Sequence, residues 1–223
     1  NPKRPFVAVI AGAKYDTKIG PLKTLYKMAD HIILGGLIYN VYLAAKYKLR
    51  ISGVSEEEKN EAMELVELDG RDKKILEMPF LVESETLEEK AEGHYRTVDT
   101  GSMQGGEKFN YLLDIDPQSL EMDRLVEIIR SAKTIFVNAV MGLTPPFFEG
   151  TQALYRLIAS NGDAIKLFAG GDTLQELRNL CPQIYLAGMD AADYYYFTGG
   201  GSVLTTLEQG SPYKLKPIEA LMD

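Results

Sequence analysis

A chain of 223 residues with 24 Lys and Arg against 32 Asp and Glu carries a formal net charge of -8, and its pI is about 5.0. That balance disfavours a nucleic-acid binder, which at this size would be basic, although a few local lysines can still reverse the sign inside a cleft. At 45% hydrophobic, with one cysteine (Cys181), the chain can bury the core of one large α/β domain or two small ones and forms no intrachain disulfide, so a reducing cytoplasm is its natural compartment.

No apolar run reaches the length of a membrane span, and no secretory leader is recognisable. Asn1-Pro2-Lys3-Arg4-Pro5 leads straight into a strand without an initiator Met, so the chain is expected to be a piece of something longer.

Taken in order, residues 6–11 (FVAVIA) read as a buried parallel strand ending at glycine. A helix is predicted over 21–29, with Pro21 in its first turn. A second buried strand spans 31–34, and 36–47 is a helix apolar around most of its circumference. Ser55 followed by Glu56, Glu57 and Glu58 signals a helix start. That helix is predicted to run to about Leu68, with Asp69-Gly70-Arg71-Asp72 as a turn.

Residues 74–82 read as a strand interrupted by Pro79, and 83–92 as an acidic, solvated stretch. Residues 93–108 contain four glycines and read as loop. An amphipathic helix is predicted over 117–131, a strand over 133–137, and a helix over 149–161. Residues 164–169 follow as a strand, 173–180 as a helix closed by Cys181-Pro182, and 202–208 as a short helix. This alternation predicts one parallel sheet with helices on both faces, a three-layer α/β/α Rossmann-like domain spanning 1–223.

Four glycine-rich stations punctuate the alternation. They are Ala11-Gly12-Ala13-Lys14, with Lys18 close behind; Leu34-Gly35-Gly36-Leu37; Ala169-Gly170-Gly171-Asp172-Thr173; and Thr198-Gly199-Gly200-Gly201-Ser202. Each follows a strand pattern and opens a helix, which brings bare backbone N–H groups to an anion. Lys14 and Lys18, one turn apart, repel unless an anion lies between them; they are a phosphate clamp or a solvated helix start. Asp172 beside a phosphate calls for a bridging divalent cation, making it a Mg2+ ligand, or else it is a helix N-cap. Gly199, Gly200 and Gly201 leave a helix N-terminus open to an oxyanion, or form a flexible turn.

In this combination the stations resemble the carboxyl-terminal, nucleotide-binding domain of phosphoglycerate kinase, from about Pro5 to Leu221. Leu34 through Asn40 is similar to an archaeal form of the family's adenine-side loop. Leu113-Asp114-Ile115-Asp116-Pro117 looks like the family's Leu-Asp-Ile-Gly-Pro, and Asn138 through Gly142 like Asn-Gly-Pro-Met-Gly. The resemblance implies that Gly12, Gly36, Leu37 and Leu113 wall the adenosine site, with Ala13 also among the nucleotide-binding residues. Lys18, Asn138, Gly170, Gly171 and Thr173 would hold the phosphates of ATP or ADP, and Asp172 the Mg2+. Lys14 would follow the phosphoryl group in flight, with Gly199, Gly200 and Gly201 receiving it. It also implies a cytoplasmic monomer, without nucleic-acid or membrane partners, that relies on an absent amino-terminal domain for 3-phosphoglycerate.

The chain departs from the family pattern in places. Tyr15-Asp16-Thr17-Lys18 shifts an acid by one position, and Asn138 is followed by Ala139-Val140. Leu143-Thr144-Pro145 replaces the Val-Phe-Glu whose glutamate grips the ribose, in a segment about two residues shorter before Gly150-Thr151. His31 and His94 are expected to be packed and solvated respectively, Cys181 structural, and Tyr194-Tyr195-Tyr196 strand packing. A nucleotide-binding regulatory module and another kinase of similar fold stay open. A dinucleotide-binding dehydrogenase is weaker, because no Gly-x-Gly-x-x-Gly occurs.

Overall fold

The computed structural model describes residues 2–220 and 222. Asn1, the start of the expected domain, and Leu221, the end of the family resemblance, lie outside the described residues, as does Asp223. The first apolar run forms β1 (Phe6–Gly12), buried through Ala11 as a central parallel strand requires. There follow α1 (Asp16–Met28), β2 (His31–Gly35), α2 (Gly36–Tyr47), β3 (Arg50–Ile51), α3 (Glu56–Asp72) and β4 (Ile75–Leu76). Next come β5 (Phe80–Ser84), β6 (Tyr95–Asp99), β7 (Lys108–Phe109), β8 (Tyr111–Ile115) and α4 (Asp123–Ser131). The chain continues through β9 (Thr134–Asn138), α5 (Glu149–Ala159), β10 (Ile165–Ala169), α6 (Gly171–Leu180), α7 (Pro182–Met189), β11 (Tyr194–Phe197), α8 (Gly200–Gln209) and α9 (Lys216–Glu219).

The central sheet has the order β11-β10-β9-β1-β2-β4, with every pairing parallel. From β1 the chain winds outward through β2 and β4, then returns beside β1 at β9 and winds the other way. The carboxyl ends of β1 and β9 therefore flank the point where strand order reverses, where an open parallel sheet leaves a crevice. Ile10 is in register with Leu34 on one side and Asn138 on the other, so the glycine stations meet along one edge. The expected three-layer α/β fold with a parallel central sheet is the one observed.

The expectation of a single sheet needs correction. Residues 77–116 build a three-stranded antiparallel sheet, β6-β5-β8, and β3 pairs with β7 in a small parallel ribbon. The strand predicted over 74–82 is two strands in different sheets, divided at Pro79, which has no N–H for a ladder. The expected loop of 93–108 contains β6, whose pattern is mostly exposed because only β5 pairs with it. Glu83, expected in solvent, is buried in β5; it accepts from Arg96 Nε at 2.6 Å and from the Asn110 N–H at 2.6 Å.

Helix limits differ for local reasons. α1 starts at Asp16, with Pro21 inside it rather than in its first turn. The lost i→i−4 bond is offset by buried Leu22, Leu25 and Tyr26. The expected turn at 69–72 is the last turn of α3, which ends at Lys73 with a left-handed φ of 54°. Asp69 explains this. Its buried carboxylate accepts from the Tyr26 and Tyr42 hydroxyls and from the Lys74 and Ile75 N–H groups, all at 2.9 Å. Such bonds outweigh a helical glycine's cost of about 1 kcal/mol at Gly70.

The helix predicted over 117–131 breaks at Met122 into a 3-10 turn, Pro117–Glu121, and α4. The Asp116 side chain caps the former through the Gln118 N–H. Cys181 is buried between α6 and α7, Tyr194 and Tyr196 stack on the core, and His94 pairs with Glu85 at the surface.

Candidate functional site

A cleft of about 830 Å3 opens at the switch point, within the size range of small-molecule sites. Its floor is the set of strand ends and the helix starts that follow them. Gly36 has φ +58°, and a Cβ there would lie 2.9 Å from the Gly12 carbonyl oxygen. Gly170 has φ +112°, and a Cβ on Gly200 would stand 2.6 Å from the Gly170 Cα. Two backbone-on-backbone contacts thus close the floor, and only glycine permits them. Gly171 and Gly201 differ: no atom lies within 4 Å of where a Cβ would stand on either. They open α6 and α8, so their N–H groups belong to helix N-termini that carry partial positive charge.

Lys18 and Asn138 tie the stations together. Lys18 Nζ donates to Asn138 Oδ1 at 2.7 Å and to the Ala11 carbonyl; Asn138 Nδ2 donates to the Ala169 carbonyl at 2.6 Å. Burial pushes the Lys18 ammonium down to about 8, against the opposing pull of Asp172. A desolvated ammonium held among backbone dipoles is poised for an anion.

The rest of the wall is apolar and comes from farther away. Leu37, Leu87, Tyr111, Leu113 and Leu143 line the cleft. The Leu143 N–H donates to the Leu113 carbonyl at 2.8 Å, and the Gly36 N–H to the Met141 carbonyl at 3.2 Å. Behind them, Asp114 accepts from the Ile115 N–H at 2.8 Å and the Gly150 N–H at 2.9 Å. A Cβ on Gly142 would sit 2.6 Å from Asp114 Cγ, and one on Gly150 2.5 Å from its Oδ1. The two glycines thus make room for the carboxyl. Burial pushes Asp114 up to about 7 despite those two N–H donors. Thr151 Oγ1 accepts from the Met141 and Gly142 N–H groups, so the motifs at 113–117, 138–142 and 150–151 interlock as one wall.

The structure gathers Gly12, Ala13, Lys18, Gly36, Leu37, Leu113, Asn138, Gly170, Gly171, Asp172, Thr173, Gly200 and Gly201 around this cleft. Lys14 and Gly199 are exposed on the loops leading into α1 and α8 and are not among its lining residues. The shifted acid, Asp16, has its side chain outside the described part of the structure. Sequence reading missed Asn40, Ser52, Leu87, Tyr111, Gln175 and Glu176, which also line the cleft. Gln175 and Glu176 were within reach, standing three and four residues after Asp172 on one helix. Leu87 was not, since it stands in an acidic stretch with no apolar period.

The family model described as phosphoglycerate kinase matches residues 1–210. The chain belongs to the phosphoglycerate kinase family. Among curated relatives, the phosphoglycerate kinase of Limosilactobacillus reuteri is 32% identical over 93% of this chain and 48% of its own length. That of Rubrobacter xylanophilus is 32% identical over 93% and 50%. The solved phosphoglycerate kinase of Coxiella burnetii superposes with a TM-score of 0.76 at 27% identity, covering 95% of this chain and 52% of its own. That of Pyrococcus horikoshii, at 22% identity and a TM-score of 0.68, shares the fold.

The chain spans about half the length of the curated phosphoglycerate kinases it matches. Among the described residues, no three His, Cys, Asp or Glu side chains could hold a metal by themselves, and no helix is long and apolar enough to cross a membrane. A Mg2+ carried by nucleotide phosphates needs only one or two carboxylates. Exposed Asp172, in the first turn of α6 and within electrostatic reach of Lys18, suits that role.

Proposed function

We propose that this chain is the nucleotide-binding, carboxyl-terminal half of a phosphoglycerate kinase. Joined to an amino-terminal domain that holds 3-phosphoglycerate, it would exchange a phosphoryl group between 1,3-bisphosphoglycerate and ADP, giving 3-phosphoglycerate and ATP. The supporting observation is the convergence of Lys18, Asn138, Gly170–Thr173 and Gly200–Gly201 on one cleft at the switch point. We place it in the cytoplasm as a monomer.

In this reading Leu37 and Leu113 wall the adenosine, and Lys18 and Thr173 hold the phosphates. Gly171 and Gly201 offer N–H groups at positions a side chain would not obstruct. Mg2+, when bound with the nucleotide, would neutralise phosphate charge, and Asp172 is the carboxylate that would hold it. Lys14, on its exposed loop, would move with the phosphoryl group. Phosphoryl transfer depends on such positioning and charge neutralisation more than on covalent chemistry by the protein. It also requires donor and acceptor in line in a water-poor cleft, and these residues furnish one wall of it.

Two measurements test this. Titration calorimetry should show Mg·ADP binding well above adenosine, with most of the Mg2+ dependence lost in Asp172→Ala; equal affinity for adenosine would count against phosphate anchoring. A coupled ATP-consumption assay with 3-phosphoglycerate should read no turnover for this chain alone and recovery when the amino-terminal half is joined to it. Robust turnover by the chain alone would overturn the half-site reading. Nucleotide binding without turnover in the rejoined protein would favour a regulatory module, to which the altered 143–149 segment lends some support.

A further inference from the structure

Between β5 and β6 the chain leaves the second sheet as an arm, residues 85–94, with neither helix nor strand. Its hydrogen bonds fold it on itself. The Glu85 N–H donates to the His94 carbonyl at 3.0 Å, the His94 N–H to the Ala91 carbonyl at 3.1 Å, and the Glu88 N–H to Thr86 Oγ1 at 3.0 Å. Glu85 Oε2 and His94 Nδ1 close its base at 2.8 Å. Among the described residues, one hydrogen bond runs from this arm to a part of the chain outside its own hairpin. Lys90 Nζ donates to Glu149 Oε1 at 2.6 Å, across 59 residues of chain.

That contact is well placed to act as a fastening. Lys90 is the only Lys or Arg of the arm, beside Glu85, Glu88, Glu89 and Glu92. Its side chain is 22% exposed, and its ammonium lies 4.9 Å from the centre of the Tyr95 ring and 6.0 Å from that of Phe147. A partly buried pair is screened less than an open one, and the ring faces attract the same cation. Both partners adjoin the cleft. Three residues before Lys90, Leu87 lines it while remaining half-exposed. Glu149 opens α5 at the end of the segment that carries Leu143, another lining residue, and the next N–H, that of Gly150, is held by Asp114. One ion pair thus ties a self-contained arm, with an apolar side chain in the cleft, to the fixed apolar wall. Segments with few tertiary contacts open locally at low cost, and this pair is the polar tie that such an opening breaks.

We infer that the 85–94 arm is a gate over the apolar end of the cleft, latched by Lys90 on Glu149, and that its opening limits how fast nucleotide enters and leaves. This rests on the nucleotide reading of the cleft. A latch equally strong with and without ligand slows entry and exit by the same factor and leaves affinity unchanged, since it does not distinguish the two states. A plain wall contact slows exit alone.

Two measurements on this chain test the gate. A glutamate-specific protease, applied to the free protein, reads opening of the arm. Lys90→Met and Glu149→Gln should each be cut there about three- to tenfold faster than wild type, the worth of a partly buried pair, and the double variant no faster than the faster single. Stopped-flow mixing with N-methylanthraniloyl-labelled Mg·ADP, followed by a chase with unlabelled Mg·ADP, reads entry and exit. Both rates should rise together in the variants, with Kd held within about twofold. Cleavage at the wild-type rate in both single variants would overturn the latch. Faster exit with unchanged entry would overturn the gate and make the arm part of the wall. Faster cleavage in a chain that binds no Mg·ADP would remove the nucleotide reading, and the gate with it.

Discussion

The glycine-rich floor and the apolar wall of the cleft are made of different material. The first is backbone: Gly12 against Gly36, Gly170 against Gly200, and the first turns of α6 and α8 at Gly171 and Gly201. The second is side chain: Leu37, Leu87, Tyr111, Leu113 and Leu143, delivered by α2, the second sheet and the loop after β9. Within it, Gly36 and Gly200 admit no Cβ, because it would meet another main chain, whereas a Cβ on Gly171 or Gly201 would face open space. An apolar wall tolerates exchange of one hydrophobic group for another at modest cost. The departures from the family pattern at 139–145 fall in the second kind of wall, while Gly-Gly-Asp-Thr and Thr-Gly-Gly-Gly are unchanged in the first.

The sharpest way to break that contrast is a pair of single-methyl additions. Gly200→Ala puts a Cβ 2.6 Å from the Gly170 Cα and should cost about 1–3 kcal/mol of stability by urea unfolding, as overpacking does. Gly201→Ala meets no atom within 4 Å. Its stability should stay within about 0.5 kcal/mol of wild type, with any loss confined to nucleotide binding. Equal destabilisation by both would refute the distinction between closure glycines and ligand-facing ones.

The apolar wall carries a pH signature of its own. Asp114 has its carboxyl raised from 3.8 to about 7 by burial. The folded chain therefore keeps a proton that the unfolded chain releases between about pH 4 and 7, and stability falls as pH rises through that window. Thermal unfolding should show Tm dropping between pH 5 and 8, with Asp114→Asn flattening the drop. A Tm that rises over this range in wild type but not in the variant would reverse the assignment.

Lys18 gives the floor of the cleft the opposite trend. Its ammonium is lowered from 10.5 to about 8, so the free chain carries the cost of a buried charge below pH 8 and is relieved of it as pH rises toward 10.5. A phosphate ligand favours the charged form, so binding takes up a proton above pH 8. Mg·ADP affinity should fall by about tenfold between pH 8 and 10. Lys18→Met should lose both affinity and that slope; a variant retaining the slope would assign it to another group.

The smallest expected effect is at Leu87. It is 47% exposed and lines the cleft. Leu87→Ser should weaken Mg·ADP by less than about 1 kcal/mol, the worth of partial apolar burial, and leave inorganic triphosphate binding unchanged. A loss shared by both ligands would mean that the two parts of the cleft are not separable.

These contrasts also explain what could be read in advance. The four stations were visible because each is contiguous: an apolar strand, glycines, then a helix. Asp69 and Glu83 look like solvated acids in the chain, yet their partners Tyr26, Tyr42, Arg96 and Asn110 stand up to 43 residues away and bury them. β6 was read as loop because a strand paired on one side with an exposed face shows neither an apolar run nor a clean alternation.

By itself the sequence determined the parallel α/β alternation and the glycine-built floor of the cleft, since burial on both faces leaves an unbroken apolar run and a Cβ-free backbone contact can be written only as glycine. The tertiary structure alone decided the second sheet, the apolar wall with Asp114 beneath it, and the placing of Leu87 and Glu176 in the cleft. Those depend on which distant side chains fill the space beside the strand ends, and a contact between segments far apart in the chain leaves no periodic trace in either.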